Sequence, residues 1–427
     1  MFQFLTNKLA KLKRSGYAVS VLTLASGTAI AQALPIAVAP ILTRLYSPAD
    51  FGLLAIYMSV AGIIGTAATW RYELAVILPE RDEDADILVI ISFWAAVITG
   101  LLALLSIIFW HSNIAVLLGN KSIEPWLYFV PISIVLTGIY NALNYWLNRH
   151  ELYSRMSFSR IIRSSVGSGT NVGMGCLKTG VGGLIAGNLA GQFAATSILA
   201  KYFLKSGAYK TNVIDLKKII PLAKRYLNHP VHLMPSHFIG SVAMQLPILI
   251  ISGFFGATVT GFYSLAQRMI SMPSSLIANA IGDVYRQKAS AAYIKHGEFR
   301  GLFLQTLSKT FFLALPPFAV LFFIAPDLFS FVFGETWRVA GEYSRIMVVG
   351  AFFQFVYVPV DKGALIVGAT RYILIWHIFR LLGFATIAFI LTIVKVNVTK
   401  VIWGVVVVNS TLYLADIIIE YQLSKGR

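Results

Sequence analysis

The sequence predicts an all-α integral membrane protein with about twelve spanning helices in two six-helix lobes. Three observations predict it. Of 427 residues, 57% are hydrophobic and 12% charged, and mean hydropathy is +0.74, far from the composition of a soluble domain. Apolar runs of roughly 20 residues recur between short polar connectors. Lipid offers no partner to a free backbone N–H or C=O, so each such run crosses as a helix. The excess of base, net +17, is also sorted by side. With the N-terminus inside, about 25 Lys and Arg fall on cytoplasmic segments, about 7 on external ones and about 3 within spans. Both termini are therefore expected in the cytoplasm, and the charge is not a nucleic-acid footprint.

The elements follow in order. The first helix, 17–42, comes after Lys8, Lys11, Lys13 and Arg14 and contains Ala29-Ile30-Ala31, which mimics a secretory signal. Its apolar character runs on through Pro35 to Leu42 and further spans follow, so it reads as uncleaved. The second, 51–70, belongs to a stretch that stays apolar to Leu78 apart from Arg71 and Glu73. Next come 87–110 and 126–147. The segment 160–177 is the weakest by hydropathy, but its Gly167, Gly169, Gly173 and Gly175 suit a tightly packed helix face. The segment 181–204 closes the first set. A second set is expected at 231–254, 258–282, 301–325, 344–368, 372–394 and 399–423.

The longest connector, 205–230, separates a first lobe (1–204) from a second (231–427). In it Val213, Ile214, Leu216, Ile219, Ile220 and Ala223 alternate with Lys217, Lys218, Lys224 and Arg225 at roughly helical spacing. It either lies in the cytoplasmic interface against anionic lipid or is a solvated basic linker. The halves also resemble each other. Gln32-Ala33-Leu34-Pro35-Ile36 is similar to Gln245-Leu246-Pro247-Ile248, and Phe51-Gly52-Leu53-Leu54 to Thr260-Gly261-Phe262-Tyr263. Six helices is an even number, so both halves enter from one side, related by a pseudo-twofold along the membrane normal.

Several stretches carry a family resemblance. They are Leu42 to Gly52 (LTRLYSPADFG), Arg71 to Pro79 (RYELAVILP), Gln245-Leu246-Pro247, Gly261 to Arg268 (GFYSLAQR), and Phe333 to Arg338 (FGETWR) with Ala340-Gly341. In that order they resemble the Wzx-type polysaccharide flippases of the multidrug/oligosaccharidyl-lipid/polysaccharide exporter superfamily. The resemblance implies a two-lobe transporter moving undecaprenyl-diphosphate-linked oligosaccharide from the inner to the outer leaflet of the bacterial inner membrane, for O-antigen, capsule or exopolysaccharide assembly. Its partners would be that lipid-linked sugar, the bilayer and other polysaccharide-assembly proteins. Asp361-Lys362 matches no pattern of the family.

Such a flippase must carry a sugar diphosphate across hydrocarbon, and a cationic, water-filled path lowers that barrier. Arginine suits the task because its planar fork binds phosphate oxygens bidentately and stays charged. Arg268, midway in a span, is the first candidate. Arg71 either stands at the inner mouth of the cavity or pairs with Glu73 at the interface. Arg380, three residues after His377, either lines the second lobe or snorkels. Lys309 is nearer a helix end, where snorkelling is expected. Arg44, in the family-like turn, either orients that turn or meets substrate. Glu73 is the candidate for ion coupling. Gly52, Gly261, Pro35, Pro247 and Pro273 are bend-point candidates, with close static packing as the alternative.

Other chemistries are excluded in turn. Asp82-Glu83-Asp84-Ala85-Asp86 contains D-x-D, but a nucleotide-sugar site needs a surrounding domain, so a solvated acidic loop is expected. His229, His232 and His237 have no nearby Cys or carboxylate to complete a metal site. Walker A is lacking, the lone Cys176 forms no intrachain disulfide, and neither cofactor nor metal is implied. A drug or cation antiporter of the same fold remains the alternative and would depend on Glu73 instead of Arg268. A membrane polymerase or glycosyltransferase would want a large external loop or domain.

Overall fold

The computed structural model describes residues 16–207, 216–367, 370–394 and 396–426, and those residues are helical apart from connecting turns. The helices are α1 (Gly16–Leu45), α2 (Pro48–Thr66), α3 (Asp82–Leu117), α4 (Val130–Arg149), α5 (Tyr153–Cys176) and α6 (Val181–Lys205). They continue as α7 (Leu216–Arg225), α8 (Met234–His296), α9 (Arg300–Phe333), α10 (Arg338–Tyr357), α11 (Thr370–Ile393) and α12 (Val398–Ser424). All twelve expected apolar segments lie wholly or mainly on these helices. By length and composition, eight helices among the described residues can cross a membrane, or nine if the bent pair Lys121–Leu127 and Val130–Arg149 is one span. The chain is thus an all-α, multi-pass membrane protein. The basic N-terminal Lys8, Lys11, Lys13 and Arg14, and Val213 and Ile214 of the connector, lie outside the described residues.

Several boundaries differ from the sequence reading, each for a local reason. α2 stops at Thr66, not at residue 70, because Trp70 and Arg71 both take left-handed backbone conformations, φ 51° and 63°, which no α-helix accommodates. α3 starts at Asp82 with three acids in its first turn, where the helix dipole favours them. The expected acidic loop is therefore a helix N-terminus. α10 ends at Tyr357, and a turn runs through Pro359 to a short helix, Gly363–Ile366. Proline removes an N–H and restricts the residue before it, which hydropathy does not register. α8 is broken once, at Gly256 (φ 79°, ψ 179°), where glycine permits what other residues do not.

The chain divides into two compact units: 1–45, 60–115 and 122–238 in the first, and 46–59, 116–121 and 239–427 in the second. In the first unit, hydroxyls knit α1 to α5. Ser157 Oγ donates to the Thr23 carbonyl (2.9 Å), Arg160 to Thr28 Oγ1 (2.6 Å) and Ser164 Oγ to the Ala31 carbonyl (2.6 Å). Contacts at spacings of three and four place these donors on one face of α5. The opposing approach of α5 and α6 uses small residues. A Cβ at Gly167 would stand 3.2 Å from the Gly187 carbonyl, while Gly169 and Gly173 meet nothing within 4 Å. The expected glycine face is therefore real at Gly167 and open at the other two. A buried core of Ile87, Leu88, Leu143, Leu147 and Leu199 surrounds Trp146, which meets Phe203 edge-on at 5.2 Å.

The second unit packs α8, α9, α10, α11 and α12 through cores around Tyr263, Phe303, Phe318, Phe355 and Phe384. Its residues 46–59 open with a capping arrangement. Ser47 accepts from the Asp50 N–H (3.3 Å), and Asp50 accepts from the Ser47 N–H (2.9 Å) and hydroxyl (2.6 Å), with Pro48 as first helical residue. That explains physically the Ser47-Pro48-Ala49-Asp50 run seen in the sequence.

Candidate functional site

Three of the sequence stretches that suggested a family converge in the second unit. Trp337, 1% exposed, is met edge-on by Phe51 at 5.1 Å and by Phe262 at 5.6 Å. Beside this cluster Gly52 and Gly261 are packed against opposing backbone. A Cβ on Gly52 would strike the Ala257 carbonyl, and one on Gly261 the Pro48 carbonyl. Neither glycine interrupts its helix, and helix also continues through Pro35, Pro247 and Pro273. Close helix contact is what the geometry gives at the two glycines. Ser59 donates to the Gln245 side-chain oxygen (3.4 Å), so a residue of the Gln245-Leu246-Pro247 motif braces the same face.

The charged candidates fall into two kinds. Arg71 and Glu73 are paired at 3.1 Å in the turn after α2, their side chains 18% and 2% exposed. The Thr69 hydroxyl donates to the other Glu73 oxygen. The turn is tied down by Trp70 Nε1 donating to Thr99 Oγ1 (3.1 Å) and by the Tyr72 hydroxyl donating to the Ala223 carbonyl (3.2 Å). Of the two sequence readings, the ion pair is the one observed. Arg44 is exposed and donates to the Pro40 carbonyl (2.7 Å), closing the last turn of α1.

The second kind has no acid in reach. Arg268 lies twelve residues past Gly256, about 18 Å along the helix. It is half-buried, with no carboxylate in ion-pair reach among the described residues. Arg380, 8% exposed, lies 5.3 Å over the Tyr413 ring and 5.9 Å over Trp376. Lys309 is exposed on α9. Arg163 is one of the cations that the sequence reading counted on cytoplasmic segments. It falls ten residues into α5, with its guanidinium 5.6 Å over Tyr140. Arg160, one turn earlier, answers to a threonine hydroxyl. Ion pairs sit instead at turns and helix ends: Arg149 with Asp82 (2.9 Å), Arg338 with Asp327 (2.7 Å), and Lys362 with Asp361.

Acids are also buried, at positions the sequence reading placed near the inner end of the last helix and did not make candidates. Asp416 and Glu420 on α12 are 2% and 1% exposed. Glu420 Oε1 accepts from the Ala364 N–H (3.2 Å) in the short helix after α10, and its Oε2 has no hydrogen-bond partner among the described residues. Asp361 stands in the turn before that short helix. The periodicity of α12 carried this signal, since residues 416 and 420 are one turn apart on one face. Asp82 and Asp86, the suspected D-x-D decoy, are held on α4. Trp146 Nε1 donates to Asp86 (2.7 Å) and Arg149 to Asp82.

Comparison with known proteins matches residues 41–342 to the family described as polysaccharide biosynthesis protein. A curated relative is the succinoglycan biosynthesis transport protein ExoT of Rhizobium meliloti (strain 1021), 22% identical over 309 residues. That match covers 70% of this chain and 59% of the relative's length, so the chain spans less than two thirds of it. Among solved structures, an inward-facing multidrug resistance MATE family transporter of the MOP superfamily superposes with a TM-score of 0.71 at 15% identity. It covers 92% of this chain and 94% of its own. The lipid II flippase MurJ, in an inward closed conformation, gives a TM-score of 0.70 at 14% identity, covering 94% and 90%. These likenesses show the fold of that superfamily.

Proposed function

The chain belongs to the polysaccharide biosynthesis protein family, and we propose that it is a flippase for undecaprenyl-diphosphate-linked oligosaccharide. In this reading it moves repeat units from the inner to the outer leaflet of the bacterial inner membrane for O-antigen, capsule or exopolysaccharide assembly. It crosses twelve times with both termini in the cytoplasm. Two six-helix lobes on either side of the 205–230 linker alternate access, bending near Pro35, Pro247 and Pro273. The observation that carries the reading is the set of arginines within helices, Arg163, Arg268 and Arg380, that have no carboxylate in ion-pair reach among the described residues. An uncompensated guanidinium in an apolar helix is costly unless an anion visits it. A diphosphate is such an anion, and bidentate Arg–phosphate contacts are among the stronger hydrogen bonds available. The aromatic rings beside Arg163 and Arg380 keep the cations oriented while the site is empty. Arg71 is paired and belongs to the supporting turn, and Lys309 and Arg44 are peripheral.

The test is translocation of a fluorescent undecaprenyl-diphosphate oligosaccharide in proteoliposomes. Flipping that requires the protein supports the proposal, and vesicles with and without protein behaving alike would sink it. A second reading, export of cationic drugs by the same fold, is favoured by one observation, the buried Glu420 with an unpartnered oxygen. That reading predicts dye efflux abolished by Glu420→Gln and indifferent to Arg268→Ala. Under the flippase reading Glu420 replaces Glu73 as the better candidate for ion coupling, because Glu73 is already satisfied by Arg71 and Thr69.

A further inference from the structure

Within the first unit, the start of α3 and the linker helix α7 flank a shallow, open cleft of about 330 Å³. Its lining carries three cations, Arg81, Lys218 and Arg225, and two acids, Glu83 and Asp84, above the apolar floor of Leu222. Volume of this size corresponds to about ten water molecules at about 30 Å³ each. No ion pair joins Arg81 or Arg225 to Glu83 or Asp84 among the described residues, so charges of both signs face the cleft. Arg225 lies instead 5.7 Å over the Tyr226 ring.

Part of the apolar side of α7 packs on the first unit. Leu222, 7% exposed, is buried in the core of the first unit with Ile219 and Ala223 packed against it, and Ala223 accepts the Tyr72 hydroxyl. What α7 and its neighbours leave exposed is Ile220 and Leu227, each 50% exposed, together with Ile77 and Leu78 of the turn before α3. Apolar side chains beside a charged cleft are what a protein presents at the headgroup level of a membrane.

We propose that this cleft binds the zwitterionic headgroup of an inner-leaflet phospholipid bearing a primary ammonium. Arg81 and Arg225 take the phosphate, Glu83 and Asp84 take the ammonium, and the acyl chains lie over Ile220 and Leu227. Recognition of both charges separates this lipid from an anionic one, whose headgroup offers nothing to Glu83 and Asp84. It also separates it from a choline lipid, whose quaternary ammonium has no N–H to donate. Bound there, the lipid bridges α3 to α7 and holds the linker helix on the first unit.

The test is lipid binding to the purified full-length chain in detergent, by native mass spectrometry, with phosphatidylethanolamine, phosphatidylglycerol and phosphatidylcholine. The ethanolamine lipid is expected to bind tightest. Glu83→Gln/Asp84→Asn is expected to weaken it about tenfold and leave phosphatidylglycerol unchanged, whereas Arg81→Ala/Arg225→Ala weakens both. These side chains are at the surface, so lipid-free unfolding midpoints should match wild type and confirm folding. Soluble phosphoethanolamine as competitor distinguishes sources: displacement only at high excess marks the lipid, and equal affinity marks a free solute and overturns the lipid assignment. Equal binding of all three lipids, or ethanolamine-lipid binding untouched by either double variant, overturns the proposal.

Discussion

Arg71 holds its left-handed backbone next to Trp70, which does the same, and each such residue costs about 1–2 kcal/mol. The surroundings offset that cost through the Glu73 ion pair and the Trp70–Thr99 hydrogen bond. Glu73→Ala should leave Arg71 half-buried without a counter-charge and destabilise by about 3 kcal/mol. Arg71→Gly/Glu73→Gln should lose less than the sum of the single changes, read as thermal midpoints in detergent. Likewise Trp146→Phe keeps the ring packing on Phe203 but removes the donor to Asp86, and should cost about 1–3 kcal/mol. Only the Arg71–Glu73 pair was legible beforehand, as one of two readings. Residues with side chains rarely adopt positive φ, so the sequence carried no glycine to announce the turn. The Trp146–Asp86 bond joins residues that no periodicity relates. Arg163 was visible as a charge but was counted on a cytoplasmic segment, because the apolar window began at residue 160 and not at Tyr153.

At the scale of elements, hydropathy located the helices well and their ends poorly. Proline at 359 and the turn at 70–71 decide where α10 and α2 stop, and both lie inside windows that remain apolar. The extension of α3 and α9 into expected external connectors has the opposite cause: polar or proline-bearing residues still helical at a helix end. Capping was readable. Ser47-Pro48-Ala49-Asp50 is a start signal, and Asp50→Ala should cost about 1 kcal/mol in thermal stability. Gly52 and Gly261 were readable as important and not as to why. With carbonyl oxygens where a Cβ would go, Gly52→Ala or Gly261→Ala should destabilise by about 1–3 kcal/mol through overpacking. A pure hinge role would instead leave the thermal midpoint near wild type and alter only transport.

For the molecule as a whole, composition alone announced a multi-pass membrane protein, and the family model and superposed folds agree with it. The distribution of charge within the units was less legible. Sequence reading saw basic residues in spans and a shortage of acids. It did not see that Arg163 and Arg380 lie over aromatic rings and Arg160 donates to a hydroxyl, or that Glu420 accepts from Ala364 beyond the turn holding Asp361. In the proposed reading, cargo and coupling ion are met by different residues, the helix arginines and the buried Glu420. The central claim is that acid-free arginines in the helices carry the diphosphate. Its most direct test is the initial rate of lipid-linked oligosaccharide flipping in proteoliposomes for Arg268→Ala and Arg163→Ala beside Lys309→Ala, with equal protein incorporated. The account predicts at least a tenfold loss for the two arginine variants, the scale of one charge-assisted contact, and a near wild-type rate for Lys309→Ala. Wild-type flipping by both arginine variants would contradict it.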